Sequence, residues 1–95
     1  MRAKIDILRP VNPVGRSFVI YILGALRHQG MEVDKEMNKA IQYLGYKIME
    51  AIGKGKWITG EVEVDTDKRE LVVKRLEVWE KKEMALPEGG IRVTW

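Results

Sequence analysis

The side chains that could perform covalent or metal chemistry are few in this chain and far apart. It has one histidine, His28, one serine, Ser17, and no cysteine. A nucleophile and its base must lie within hydrogen-bond reach, yet eleven positions on one helix (28 − 17) span about 16 Å at 1.5 Å per residue. A metal would have to rely on scattered carboxylates. We therefore expect no enzyme, no cofactor and no metal site.

Two carboxylates, Glu61 and Glu63, are placed by strand alternation on one face, about 7 Å apart. Carboxylate pairs of this kind can do acid–base chemistry. Lysines are expected on the neighbouring strand, where cross-strand charge pairs are common. The pattern favours charge pairing over catalysis.

Basic and aromatic side chains provide a stronger signal. The net charge is +3 with a pI near 9.3, which permits attraction to phosphate but also fits an ordinary solvated surface. Lys39, Tyr43 and Lys47 are spaced four apart, with Tyr46 beside them. Such a helical stripe can pair with phosphate and stack on bases. Alternatively, the tyrosines pack against a sheet or subunit and the lysines are solvated.

A second basic patch is Lys54-Gly55-Lys56-Trp57. It could hold a phosphate backbone, although the GxxxxGK(S/T) spacing of a phosphate loop is absent. The interpretation that we favour is a helix C-terminus with complementary charge, followed by a core tryptophan. Trp57, Trp79 and Trp95 could be stacking platforms, or could cover sheet edges or a subunit interface. For Trp95 we favour an interface.

Two stretches with apolar residues at helical spacing predict two helices. The first covers residues 13–30 and is uncharged over 18–26, too short to cross a bilayer, so most of its circumference should be buried. Asn12 is the expected N-cap, with Ser17 as a second candidate. Gly24 within it usually permits close approach of another backbone.

The second predicted helix begins after Asp34 and ends at Gly53. Alternating apolar residues predict strands over residues 3–7, 57–65 and 70–82, with 91–95 as a possible edge strand. A change of phase predicts a bulge near Lys74-Arg75. The order β-α-α-β-β predicts an α+β fold, a two-layer sandwich with both helices on one face of a small mixed sheet.

The bulk composition is that of a single globular domain covering residues 1–95. Hydrophobic residues make up 45% and charged residues 33% of the chain, which argues against disorder. The lack of cysteine and of a signal-like start predicts a cytoplasmic protein with no membrane partner. Abundant Lys, Arg and Glu with few amides is typical of proteins from heat-loving organisms.

Five short stretches share a family pattern and touch much of residues 10–82: Pro13-Val14, Tyr21-Ile22-Leu23-Gly24-Ala25-Leu26, Gln29-Gly30, Asn38-Lys39-Ala40-Ile41 and Leu76-Glu77-Val78-Trp79-Glu80-Lys81-Lys82. Together they resemble the Alba-type archaeal chromatin and RNA-binding proteins. The resemblance implies a homodimer that contacts the nucleic-acid backbone with loops before the first helix and with hairpin tips.

The chain departs from that family in three places. The family has a full strand between its helices, whereas residues 31–34 leave room for a stub at most. Val11 and Asn12 stand where the family has a lysine pair, although Arg9 and Arg16 flank the same loop. The family's basic hairpin arm is reduced to a short turn.

The leading hypothesis is a small basic protein that binds DNA or RNA backbone largely independently of sequence, as a homodimer. The predicted contacts are Arg9, Arg16, Lys54, Lys56, Lys68 and Arg69, with Tyr43 and Tyr46 as possible stacking residues. The alternative is a protein-interaction or scaffolding subunit. In that case the exposed tryptophans and the edge strand 91–95 would dock a partner by strand addition.

Overall fold

The computed structural model describes the whole chain, residues 1–95, and contains two helices and five strands. In chain order they are β1 (Arg2–Val11), α1 (Arg16–His28), α2 (Lys35–Ile52), β2 (Ile58–Asp65), β3 (Glu70–Val78), β4 (Glu83–Met84) and β5 (Ile91–Thr94). The α+β class and the order of elements are confirmed. The short strand β4 was not predicted.

The sheet is antiparallel throughout, so the expectation of a mixed sheet was wrong. The strand order is β1-β2-β3-β4, with β5 on the same side of β3 as β4. The two helices run in opposite directions and return the chain to the end of the sheet where β1 stops. Val11 therefore pairs with Ile58, and β2 runs back alongside β1. A parallel neighbour would have needed a connection that returns the chain to the opposite end of the sheet, where β1 begins.

One face of the sheet is covered by both helices and forms the core. Alternate side chains of each strand face the helices, as in β2, where every second residue from Ile58 to Val64 is buried. From α1 the core receives Phe18, Ile22 and Leu26. No polar or charged side chain is buried. The opposite face of the sheet has no helix over it, so we call it the open face.

The first helix begins later than expected. Asn12 is not its cap, because its Oδ1 accepts a hydrogen bond from the Val14 N–H at 2.9 Å and closes a local turn. Ser17 is not the cap either, since the N-cap position belongs to Gly15, which makes no side-chain cap bond. The chain thus makes one extra turn between β1 and α1.

The close backbone approach expected at Gly24 occurs instead at Gly45. A Cβ at position 45 would lie 2.8 Å from the Pro13 oxygen, whereas one at position 24 would meet no atom within 4 Å. The reason is orientation, since Gly24 lies on the exposed side of α1. Gly45 lets α2 pack against the turn that leads into α1.

Two irregularities bend the sheet. The bulge predicted near Lys74 is confirmed, because Val62 pairs with Val73 and Glu61 with Arg75, which leaves Lys74 as the extra residue. A second irregularity was not predicted and lies in β1, where residues 8–10 face the single residue Thr59. It pushes Leu8 and Arg9 outward at the end of β1, where both are exposed.

The outer edge of β1 is shielded by side chains of α1. The Tyr21 hydroxyl donates to the Asp6 oxygen at 2.6 Å, and Gln29 Nε2 donates to the Lys4 oxygen at 3.0 Å. The short strands β4 and β5 form the other edge of the sheet, and β5 pairs only with β3. Neither helix of the protein has both the length and the apolar character needed to span a bilayer.

Candidate nucleic-acid interface

The middle of the open face is occupied by paired charges. Lys4 Nζ lies 3.4 Å from Glu61, and Glu63 lies 3.6 Å from both Arg2 and Lys74. This confirms the prediction that the two carboxylates make cross-strand charge pairs. Because its basic groups already have acidic partners, this region offers little attraction to phosphate.

The end of the sheet where β1 stops and β2 begins is different, and we call it the basic end. Its five basic side chains are exposed and form no ion pair in the structure: Arg9, Lys54, Lys56, Lys81 and Lys82. They come from three segments that the strand register brings together, since Val11 pairs with Ile58 and Ile58 with Val78. The turn between β3 and β4, which carries Lys81 and Lys82, also contains the acidic residue Glu80, and Glu83 follows at its end.

Two tryptophans lie side by side at the basic end. The ladder continues one step beyond the pair Ile58–Val78, because the Trp79 N–H donates to the Trp57 oxygen at 2.8 Å. Trp57 is 49% exposed and Trp79 is 48% exposed. The expectation of a core tryptophan at position 57 was wrong, because Ile58 faces the core and alternation turns its neighbour to the open face.

Two further large apolar side chains are exposed on the same face and end. Leu8 is 75% and Met84 71% exposed. Leu8 follows the inward-facing Ile7, and Met84 is the cross-strand partner of the outward-facing Glu77. We call Leu8, Trp57, Trp79 and Met84 the tryptophan platform. Exposed apolar groups that cluster at one place are typical of binding surfaces.

Lys68 and Arg69 lie at the other end of the sheet, in the turn between β2 and β3. The eight residues of β2 separate them from the basic end by about 25 Å at 3.3 Å per residue. Arg69 is held by the end of the chain, since its Nε donates to the Trp95 oxygen at 2.7 Å and its own oxygen accepts from the Trp95 N–H at 3.1 Å. The six predicted basic contacts therefore do not form one surface.

The same turn is stabilised by Asp65. One of its carboxylate oxygens accepts the backbone N–H groups of Asp67 at 3.0 Å and of Lys68 at 3.2 Å. The hydrogen bond from Lys68 is the main reason that the pKa of Asp65 is lowered from its ordinary value of 3.8. The backbone around Lys68 is thus fixed, while its side chain is exposed.

The tyrosines lie on the helix layer, away from the basic end's tryptophans. Both are exposed, so the alternative in which they pack against the sheet of the same chain was wrong. Lys47 Nζ lies 5.4 Å from the centre of the Tyr43 ring, and interaction with Tyr43 raises the pKa of Lys47, with Glu50 adding to the effect. The face of the Tyr43 ring is therefore already in contact with a cation of the same chain, Lys47.

Tyr46 and Arg16 line a groove of about 500 Å³ between the helices. Their neighbours there include the exposed apolar side chains of Val14 and Ile20. Arg16 is the first residue of α1, so it lies on the helix layer and not on the open face. Of the six predicted basic contacts, three lie at the basic end: Arg9, Lys54 and Lys56.

His28, the last residue of α1, is exposed. No group of three or more His, Asp or Glu side chains is placed to hold a metal ion.

Comparison with known proteins does not add to these observations. No protein-family model, no curated protein and no solved structure matches the chain. The resemblance to Alba-type proteins stays a prediction, and function has to be argued from the side chains themselves.

Proposed function

We propose that this protein binds DNA or RNA by holding the sugar–phosphate backbone at its basic end. The observation that supports the proposal is the contrast within one sheet face. Basic side chains in the middle of the open face are paired with carboxylates. No carboxylate partner is found for the five basic side chains of the basic end, Arg9, Lys54, Lys56, Lys81 and Lys82. Unpaired cations gathered at one end attract a polyanion.

The mode of contact follows from the side chains. Lysine ammonium groups on flexible stems meet phosphate as point charges, and contacts to phosphate carry no direct sequence information. The binding should therefore be largely independent of sequence and should release counterions. Lys68 and Arg69 would contribute only to a nucleic acid that also reaches the far end of the sheet. A homodimer, which the family resemblance implies, would present two basic ends.

The test is fluorescence anisotropy with labelled 20-nucleotide single strands and 20-base-pair duplexes of DNA and RNA. Five phosphate contacts predict that raising salt from 50 to 200 mM weakens binding about 100- to 500-fold. Lys54→Glu/Lys56→Glu should abolish binding at the higher salt. The matched control is Lys35→Glu/Lys39→Glu, which makes the same charge change on the exposed side of α2.

Two results would overturn the proposal. One is no binding of any of the four nucleic acids at 50 mM salt by a monodisperse sample. The other is an equal loss of binding in the control variant, since net charge and not the basic end would then govern the interaction.

The alternative function, docking of a protein partner by strand addition, has one supporting observation. The outer edge of β5 has no backbone partner, unlike β1, whose edge is shielded by α1. An exposed edge is a template for another strand. Amide exchange of residues 91–94 tests this, because a strand added there would slow their exchange, whereas nucleic acid at the basic end would leave it unchanged.

A further inference from the structure

We infer that the tryptophan platform stacks two successive unpaired bases, so that the basic end selects single-stranded over duplex nucleic acid. This inference rests on the proposed function and names the class of nucleic acid that it takes. It is carried by the register of two strands and by the distribution of charge around the platform.

The register fixes how the two rings are placed. Trp57 and Trp79 are directly opposite each other across the β2–β3 ladder, so their Cα atoms are about 5.5 Å apart and both side chains project from the same face. That face has no helix over it, and each of the two residues is about half exposed. Two adjacent aromatic surfaces of this kind can each support one base.

The charges lie next to the pair. Lys54 and Lys56 precede Trp57, and Lys81 and Lys82 follow Trp79, so in the antiparallel β2–β3 pair all four lie beyond the same end of the sheet, while Arg9 is exposed on the neighbouring strand. A strand of nucleic acid laid across the rings would run along this row of cations, which would be within reach of its phosphates. Flat apolar rings joined by anionic links are the chemistry that complements this surface.

A duplex cannot use the platform. Its base faces are covered by their neighbours in the stack, and only the edges and the backbone are accessible. Binding of a duplex would satisfy the cations but leave Leu8, Trp57, Trp79 and Met84 in water. The platform therefore adds affinity only for unpaired bases, and that difference is the selectivity.

The experiment compares a labelled 12-nucleotide oligothymidylate with a 12-base-pair DNA duplex at 50 mM salt. The single strand should bind at least tenfold more tightly. Trp57→Leu and Trp79→Leu should each weaken binding of the single strand about 5- to 150-fold, the effect of losing one stacking ring, and leave the duplex unchanged. Trp57→Phe should retain most of the affinity. The matched control is Ile20→Ala, which removes an exposed apolar side chain from the helix layer.

A second readout does not depend on variants at the platform. In Trp95→Phe, the remaining tryptophans are Trp57 and Trp79, so intrinsic fluorescence reports on the platform alone. Oligothymidylate should quench it in a saturable manner, and the duplex should not. This keeps the inference testable if a leucine variant fails to fold, which circular dichroism would reveal.

The outcomes separate the inference from the proposed function. The stacking inference would be overturned if both probes bind with equal affinity and neither quenches the fluorescence. If Lys54→Glu/Lys56→Glu then abolishes binding of both probes, the proposed binding of the backbone still holds. No binding of either probe would overturn both. If Trp57→Leu instead turns a dimer into a monomer by sedimentation equilibrium, the platform is a subunit interface and the inference is wrong.

Discussion

Gly60 on β2 lies directly against the main-chain oxygen of Arg75 on β3, and a Cβ at position 60 would overlap that oxygen. The contact is a consequence of the bulge. With Lys74 as the extra residue, β3 bends toward β2 at this point, and only a glycine leaves room for the Arg75 carbonyl.

Gly60→Ala should therefore destabilise the protein by about 1–3 kcal/mol, the usual result of inserting a methyl group where there is no space. Backbone atoms oppose the new methyl, so no side-chain rotation can relieve the overlap. Urea denaturation at neutral pH measures the change. An unchanged midpoint would show that the β2–β3 bulge can relax.

Gly24→Ala should have the opposite effect. The position is inside α1, and the added methyl would meet no atom within 4 Å. Alanine is more favourable than glycine in a helix interior by about 0.5–1 kcal/mol, so the urea midpoint should rise. A fall in stability that grows with protein concentration would indicate that a second copy packs against Gly24.

Local sequence patterns were sufficient to predict most of the fold. The alternation in β2, the helical spacing in α2 and the phase change at Lys74 each report an interaction between neighbours in the chain. The prediction failed where contacts between distant segments of the chain determine the structure. The close approach at Gly45 involves Pro13, which is far away in the chain, and the direction of β2 depends on where the two helices end.

The candidate site could likewise be predicted only in its local features. The basic residue types were visible in the sequence, but grouping them required strand register. Lys68 and Lys56 look similar in the chain, yet β2 places them at opposite ends. Lys81 and Lys82 were not among the predicted contacts, although they end the strand predicted over residues 70–82, which returns alongside the strand that follows Lys56. Counting the β2–β3 register from the turn would have placed Trp79 near Trp57.

The pKa of Asp65 predicts a pH dependence of stability. Because the folded state lowers this pKa below 3.8, its ionised form stabilises the fold at pH values above 3.8, and the contribution is lost as pH falls through the folded pKa. Asp65→Asn retains an oxygen that can accept the same two N–H groups. The wild type should therefore exceed the variant in stability at pH 6, and the difference should shrink toward pH 2. Urea denaturation across this range measures it, and a difference that grows on acidification would contradict the assignment.

The shielding of β1 by α1 should prevent association through that edge. Tyr21→Phe/Gln29→Ala removes both side-chain donors to the Lys4 and Asp6 oxygens. Each exposed hydrogen bond contributes about 0.5–1.5 kcal/mol, so the fold should survive while the edge becomes available for pairing. Light scattering should show concentration-dependent association in this variant. The control is Tyr46→Phe on α2, and association of the control to the same extent would show that the edge is not the cause.

The salt dependence of binding tests whether lysines of the basic end touch phosphate. Each contact contributes about 0.7 to the slope of log affinity against log salt for single strands and about 0.9 for duplexes. Lys54→Gln/Lys56→Gln should therefore reduce the slope by about 1.4 for a single strand and about 1.8 for a duplex, with the same fractional loss for unrelated base sequences. Lys35→Gln/Lys39→Gln removes equal charge from α2 and should leave the slope unchanged. A lower affinity with an unaltered slope would mean that Lys54 and Lys56 act without contacting phosphate, and the backbone at the basic end would then have to be held by Arg9, Lys81 and Lys82.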